Sequence, residues 1–427
     1  MTVKGQRESK TELKRALGLF DATAISIGAI IGAGIFVVTG IVAGLAGPSL
    51  VISIVLAGSI ASFSALSFAQ LSAYMPREGG GYQYTYRMVS PYAGFLAGWM
   101  WIFSNLFVGA AVSLGFANYL VALVPALSEN AVNAVAVAFC LLFTFLNYVG
   151  VRQSAIVNNV LVVSKILILI FFIALGLGFV NFRNFSPVAP YGFLGVLKGT
   201  SLIFFAYFGY ARITILAEEV KDASRTIPRA IILALVLSTV LYALISFVAV
   251  GLVGSYSLSQ SASPLADAIG ATENSTAVFV VSLGAIIATA SVLLMTILGV
   301  SRMTFAMARN GQLPTFLRQI HPKFQTPHYA VLITGILSSV LVFGGFSRIV
   351  AVSTFALLFH HALVNLSAIR LRAENRRYPV FVSVLGLLLC LTLLFFLSSE
   401  AWIIGIAGLL IGSVYYAFEV RRKTGNT

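Results

Sequence analysis

The stretch Gly28-Ala29-Ile30-Ile31-Gly32-Ala33-Gly34-Ile35-Phe36 sets three glycines within seven positions, inside a run of about 30 mostly apolar residues, long enough for a membrane helix. Each glycine destabilises a helix interior by roughly 1 kcal/mol relative to alanine, so three together predict a helix that breaks part-way across a bilayer. In lipid an unpaired backbone amide costs several kcal/mol, and broken backbone persists only where protein, water or a bound solute satisfies it. The stretch is therefore the first candidate for a ligand site.

The bulk composition places that helix in a membrane. Of 427 residues 59 % are apolar and 9 % charged, with a mean hydropathy of +0.98; a soluble domain carries about 25 % charged residues. The expected class is an all-α integral membrane protein in a lipid bilayer. Cys140 and Cys390 lie in apolar runs and give neither a disulfide framework nor a metal cluster. The net charge of +14 is scattered in short segments between apolar ones, which argues against a nucleic-acid partner. Lys4, Arg7, Lys10, Lys14 and Arg15 resemble the basic start of a signal peptide, but the apolar run after them is too long and lacks a clear cleavage signal, so the segment is expected to be retained.

Twelve apolar windows can be laid at roughly 19–46, 50–74, 92–123, 131–148, 154–178, 195–217, 229–253, 276–308, 328–346, 350–369, 379–397 and 401–419, each close to the ~20 residues that cross a bilayer. Alternating the loops between the two sides leaves 22 of the 27 Lys and Arg residues on the side of both termini, and only Arg183, Lys198 and Arg348 on the other. The positive-inside rule then predicts cytoplasmic termini in a multi-pass protein of the cell inner (plasma) membrane. The outer loops around 179–194 and 254–275 read as irregular lids or surface helices.

A second glycine sits among aromatics in the sixth window, Phe204-Phe205-Ala206-Tyr207-Phe208-Gly209-Tyr210-Ala211-Arg212. Membrane helices also use glycine for close packing. Two interrupted helices at matched places in two five-helix halves are, however, the sequence sign of an inverted-repeat secondary transporter that binds its solute near the midplane. The corresponding division is a segment 1–16, a first repeat 17–178, a second repeat 195–370, two additional helices within 379–419 and a tail 420–427.

These residues also carry a resemblance. Ile30-Ile31-Gly32-Ala33-Gly34-Ile35-Phe36, then Pro76-Arg77-Glu78-Gly79-Gly80-Gly81-Tyr82, then Ala217-Glu218-Glu219-Val220 with Thr226-Ile227-Pro228-Arg229-Ala230 resemble the amino acid–polyamine–organocation transporter superfamily. Within it the chain resembles the prokaryotic amino acid permeases and the cationic-amino-acid-transporter-like branch, from Leu17 through about Arg422. The resemblance implies a leucine-transporter-type 5+5 inverted repeat plus two extra helices, twelve in all. It implies that amides of Ile31, Gly32, Ala33 and Gly34 meet a substrate carboxylate, and that carbonyls around Phe204, Phe205, Ala206 and Tyr207 near Gly209 meet its ammonium. Helix starts offer free N–H groups and helix ends free carbonyls, so the physics agrees with this division. Phe205 matches the family's aromatic gate.

Two charges stand inside apolar windows. Lys165 lies in the middle of the fifth, where an ammonium costs at least ~2.5 kcal/mol unless it finds partners or sheds its proton. It is the proton-coupling candidate. The resemblance places it where sodium-coupled relatives hold sodium, with Gly28, Ser291 and Thr296 as its expected partners, and so argues against sodium dependence. The alternative is a lysine that stays charged and fastens those helices. Arg212 is expected to pair with Glu218 or Glu219, about two helical turns on, and Ala211 stands where several relatives carry an acid. That loss leans the substrate toward neutral amino acids. Arg77, Glu218 and Glu219, with Arg302 or Arg309, are the expected charged latch on the inner side; a solvated cluster that sets orientation is the bland alternative. Adjacent His360 and His361 point to different faces and make poor joint metal ligands.

The expected function is secondary active import of amino acids by alternating access, sodium-independent and proton-coupled. Its rivals are an amino acid exchanger, a cationic amino acid or polyamine transporter, and a membrane sensor or scaffold without flux. No window centre holds an acid for enzyme chemistry, no GxxxxGK[ST] loop points to ATP, and the sequence calls for no metal, cofactor or obligate protein partner.

Overall fold

The computed structural model describes residues 16–76, 79–124, 126–150 and 155–424 and is all-α. Among the described residues nine helical stretches are long and apolar enough to cross a membrane, and two further apolar helices, His328–Gly344 and Val380–Leu394, are shorter. The chain is a multi-spanning membrane protein. Large apolar side chains face outward along these helices, among them Phe145, Leu167, Val240, Phe381 and Leu410, while small and hydroxyl residues face inward and let the helices approach.

The first apolar stretch, Leu19–Tyr74, runs for 56 residues and is cut twice by glycine. Helix α1 (Leu19–Ile30) ends as Ile31 turns extended, at φ −76° and ψ 101°. After Gly32 the chain re-enters as a π-helical turn, Gly34–Val38, that leads into α2 (Thr39–Ala46). Gly47 then adopts φ 65° and turns the chain into α3 (Leu50–Tyr74). The predicted break in the first window is thus present, at Ile31–Gly32.

The sixth window behaves differently. Helix α8 (Gly192–Ile203) does not unwind at Phe204; it tightens into a 3-10 helix from Phe204 to Glu219, with one non-helical residue, Leu216. A 3-10 run longer than three or four residues is uncommon and marks strain or a hinge. The expected interruption of the sixth window is thus a change from α-helix to 3-10 helix at Ile203–Phe204. Bulky aromatics and Ala206 keep the backbone coiled, and its carbonyls bond three residues ahead instead of standing free.

Around these two segments the bundle is built from α4 (Gly80–Met88), α5 (Pro91–Leu123), α6 (Val132–Val149), α7 (Ala155–Gly176), α9 (Ala223–Gln260), α11 (Ser275–Arg309), α12 (His328–Leu341) and α13 (Phe346–Ile369). Ser90 caps α5 by accepting from the Ala93 amide at 3.1 Å ahead of Pro91, and Asn274 caps α11 through the Ala277 amide at 3.0 Å. Polar ties cross the bundle where small residues meet, as in the Ser104–Ser353 hydroxyl pair at 2.8 Å between α5 and α13. The outer loop expected at 254–275 is mostly helical. Helix α9 continues past a break at Gly254, with φ 78°, and is followed by α10 (Pro264–Gly270), whose Leu265, Ala268 and Ile269 are buried. On the opposite face, Ala16 and Leu17 form a parallel bridge to Glu219 and Val220, with Leu17 N–H donating to Glu219 O at 3.1 Å and Lys221 N–H to Leu17 O at 2.9 Å.

Candidate functional site

The broken α1 and the 3-10 segment cross at backbone contact. A Cβ added at Gly209 would lie 2.2 Å from both the Ala29 carbonyl carbon and the Ile30 nitrogen, and one added at Gly34 would lie 2.5 Å from Ala206 Cβ. Only glycine allows that approach. Beside the crossing lies a cavity of about 60 Å³, bordered by Gly32, Ala33, Gly34, Phe205, Ala206 and Gly209 from the two segments. Such a volume takes about four or five waters or a compact solute.

The predicted backbone donors divide on inspection. Gly32, Ala33 and Gly34 border the cavity at the start of the second half-helix, where N–H groups have no carbonyl one turn back. Ile31 does not join them: its N–H completes the last turn of α1 by donating to Ile27 O at 2.8 Å, and its side chain is buried away from the cavity. On the other segment Phe205 and Ala206 line the cavity, whereas Phe204 and Tyr207 do not. Phe204 packs edge-on against Phe208, and the Tyr207 hydroxyl donates to Ile54 O at 3.0 Å.

Behind the break, α1 ends against fixed donors. Lys165, fully buried at the middle of α7, donates from Nζ to Gly28 O and Ile31 O, each at 3.2 Å, and to Ser291 Oγ. The Tyr242 hydroxyl takes the Ile30 carbonyl at 2.8 Å. An ammonium has three protons to place, and all three acceptors are neutral. Lys165 thus ties α7 to the end of α1 and to α11. Of its expected partners Gly28 and Ser291 are present; Thr296 is not, and Ile31 takes its place. Five residues turn a helix by ~140° beyond one full revolution, which carries Thr296 off the face that holds Ser291.

Thr296 instead accepts from Arg212. The Arg212 Nη2 donates to Thr296 Oγ1 at 3.0 Å and to Asn105 Oδ1 at 3.1 Å, and Arg212 borders the cavity. Its expected pairing with Glu219 is absent among the described residues, because the 3-10 helix winds at three residues per turn and does not set positions 212 and 219 in line. The Glu218 side chain and Arg77 lie outside the described residues. Glu219 is held through its backbone carbonyl by Ala16 and Leu17, and no ion pair with Arg302 or Arg309 is present among the described residues; Arg309 lies over the Phe305 ring.

Several lining residues escaped the sequence reading. Trp101, Asn105, Val108 and Val112 present one face of α5, at spacings of four, three and four; Val292 and Met303 come from α11 and Phe68 from α3. His360 and His361 both border the cavity despite being adjacent, with Nδ1 of each near a backbone carbonyl, Ala97 O at 2.9 Å and Leu357 O at 2.8 Å. No carboxylate side chain lines the cavity among the described residues.

The sequence that builds this broken helix and cavity has relatives among known proteins. The family model described as amino acid permease matches residues 17–417. The chain belongs to the amino acid permease family. This permease is 35 % identical over 419 residues to an uncharacterized transporter of Mycobacterium tuberculosis, covering 97 % of this chain and 93 % of that one. It is 31 % identical over 441 residues to a branched-chain amino acid permease of Bacillus subtilis, covering 96 % and 94 %. A methylthioribose transporter of the same organism is 32 % identical over 452 residues, covering 99 % and 97 %. The chain is a membrane transporter of small solutes and not an enzyme.

Proposed function

We propose that this permease imports amino acids by alternating access, without sodium, with a proton on Lys165 coupled to the cycle, and that its substrates are neutral amino acids. The observation that carries the reading is the break at Ile31–Gly32. It sets Gly32, Ala33 and Gly34 on the cavity wall while Lys165 grips the carbonyls behind the break. A substrate carboxylate would meet those amides and the positive end of the half-helix. The substrate ammonium would take second lone pairs on the carbonyls of Phe205 and Ala206, the two residues of the expected Phe204 to Tyr207 set that line the cavity, since each carbonyl offers two. Phe205 would close over the bound solute.

Lys165 fills the space between α1, α7 and α11 with a positive charge that a sodium ion could not share. Protonated, it ties the three helices; neutral, it would keep fewer of those bonds and let α1 tilt. Neutral substrates are supported by a lining rich in apolar side chains, by the lack of a lining carboxylate among the described residues, and by Ala211 where several resembling transporters carry an acid. The branched-chain amino acid permease among the chain's relatives points the same way.

The proposed frame is the twelve-helix one. Dividing Leu19–Tyr74 at Gly47 and adding the two shorter apolar helices to the other eight stretches supports that count. Repeats at 17–178 and 195–370, two helices within 379–419, and cytoplasmic ends at 1–16 and 420–427 in the plasma membrane complete it. The test is uptake of radiolabelled leucine into proteoliposomes free of sodium and of internal amino acid. Uptake above protein-free liposomes supports import. Uptake only after internal amino acid is loaded would make it an exchanger, and binding without uptake a sensor.

A further inference from the structure

Resting on the reading of a neutral amino acid site, we propose that Arg212 is the inner gate of that site and its charge filter: its guanidinium closes the central cavity toward the cytoplasm and turns away solutes with a net positive charge. A second cavity, of about 440 Å³, is lined by Leu17, Gly150, Glu219, Arg302 and the loop Phe324–Pro327, all on the face that carries the Leu17–Val220 bridge. Arg212 and Ile215 are the two residues that border both cavities. The guanidinium is thus a partition between the solute site and the larger opening.

The partition is held by a clip that can come undone. Arg212 reaches from the 3-10 segment to Asn105 on α5 and Thr296 on α11, so it spans three elements that border the site. Both acceptors are neutral, and Nη1 is buried with no hydrogen-bond partner among the described residues. A guanidinium stays protonated at any physiological pH, and among the described residues no carboxylate lines the central cavity to cancel it, Glu219 bordering the second cavity instead. A solute carboxylate passing inward would find that cation before it finds bulk water, whereas a cationic side chain would be repelled. At an effective dielectric of ~20, a second unit positive charge about 8 Å away is disfavoured roughly 30-fold.

The experiment compares binding of norleucine and of lysine, its longer and charged counterpart, by thermal shift of the purified full chain in detergent. Wild type is expected to bind norleucine at least ~30-fold more tightly than lysine. Arg212→Met and Arg212→Gln are expected to shrink that gap to within a few-fold. Equal binding of the two by wild type, or an undiminished gap in a variant that still binds norleucine, overturns the filter. Failure of wild type to bind any neutral amino acid would overturn the underlying reading instead. For the gate, Val108→Cys places a thiol on the central cavity beyond Arg212, while native Cys140 and Cys390 are fully buried. Labelling of Val108→Cys by a membrane-impermeant thiol reagent in inside-out vesicles is expected to quicken at least tenfold when Arg212→Ala is added. An unchanged rate overturns the gate.

Discussion

Replacing Gly209 by alanine tests the crossing on which the site is built. The added methyl would sit 2.2 Å from the Ala29 carbonyl carbon and the Ile30 nitrogen. Carbon atoms rest about 3.5–4.0 Å apart, so the two segments would have to part by roughly 1.5 Å. Overpacking of a core typically costs 1–3 kcal/mol when side chains can yield. Here both obstacles are backbone, and α1 is further pinned by Lys165 and Tyr242, so the cost is expected at about 3 kcal/mol or more. The variant should show a lowered unfolding midpoint in detergent and an apparent amino acid affinity reduced at least tenfold, equivalent to ~1.4 kcal/mol at the site. Gly178→Ala is the control, because its Cβ would meet nothing within 4 Å; that change should stay within ~0.5 kcal/mol of wild type. A Gly209→Ala protein that unfolds and binds like wild type would refute the close crossing.

Other substitutions probe single ties. Ser291→Ala removes one of the three acceptors of Lys165 and is expected to cost about 1.5–3 kcal/mol, read as a lower unfolding midpoint, with recovery in Ser291→Thr, which restores the hydroxyl. Tyr242→Phe strips the buried Ile30 carbonyl of its donor; the expected loss is about 1–3 kcal/mol, checked in the same unfolding assay. Saturating neutral amino acid should raise the midpoint of wild type, by ~2.7 kcal/mol of linked stability at a hundred times the dissociation constant, and should raise that of Gly209→Ala much less at the same concentration.

The break in α1 is legible because three glycines within seven positions add up a local backbone cost of roughly 1 kcal/mol each. Lys165 was legible for a similar reason, since a charge within an apolar window has to be answered somewhere. Its answer was read only in part. Thr296 is close to Ser291 in sequence but turns to another face of α11, and the Ile31 carbonyl becomes available only once the chain has bent. The sixth window misled because Gly209 serves the crossing rather than a gap, and propensity does not separate an α-helix from a 3-10 helix. The α5 face of Trp101, Asn105, Val108 and Val112 has regular helical spacing, yet a helix apolar on every side hides which face is functional. The clip from Arg212 to Asn105 joins residues 107 positions apart, and no local pattern announces it.

On the proposed mechanism, solute movement is coupled to a proton on Lys165. The most direct test of this coupling is the initial rate of leucine uptake into proteoliposomes with and without an inward-directed pH gradient, for wild type and Lys165→Ala. With such coupling, the gradient is expected to accelerate wild type several-fold and to leave Lys165→Ala, at whatever residual rate, insensitive to it. Equal sensitivity to the gradient in both proteins would contradict it.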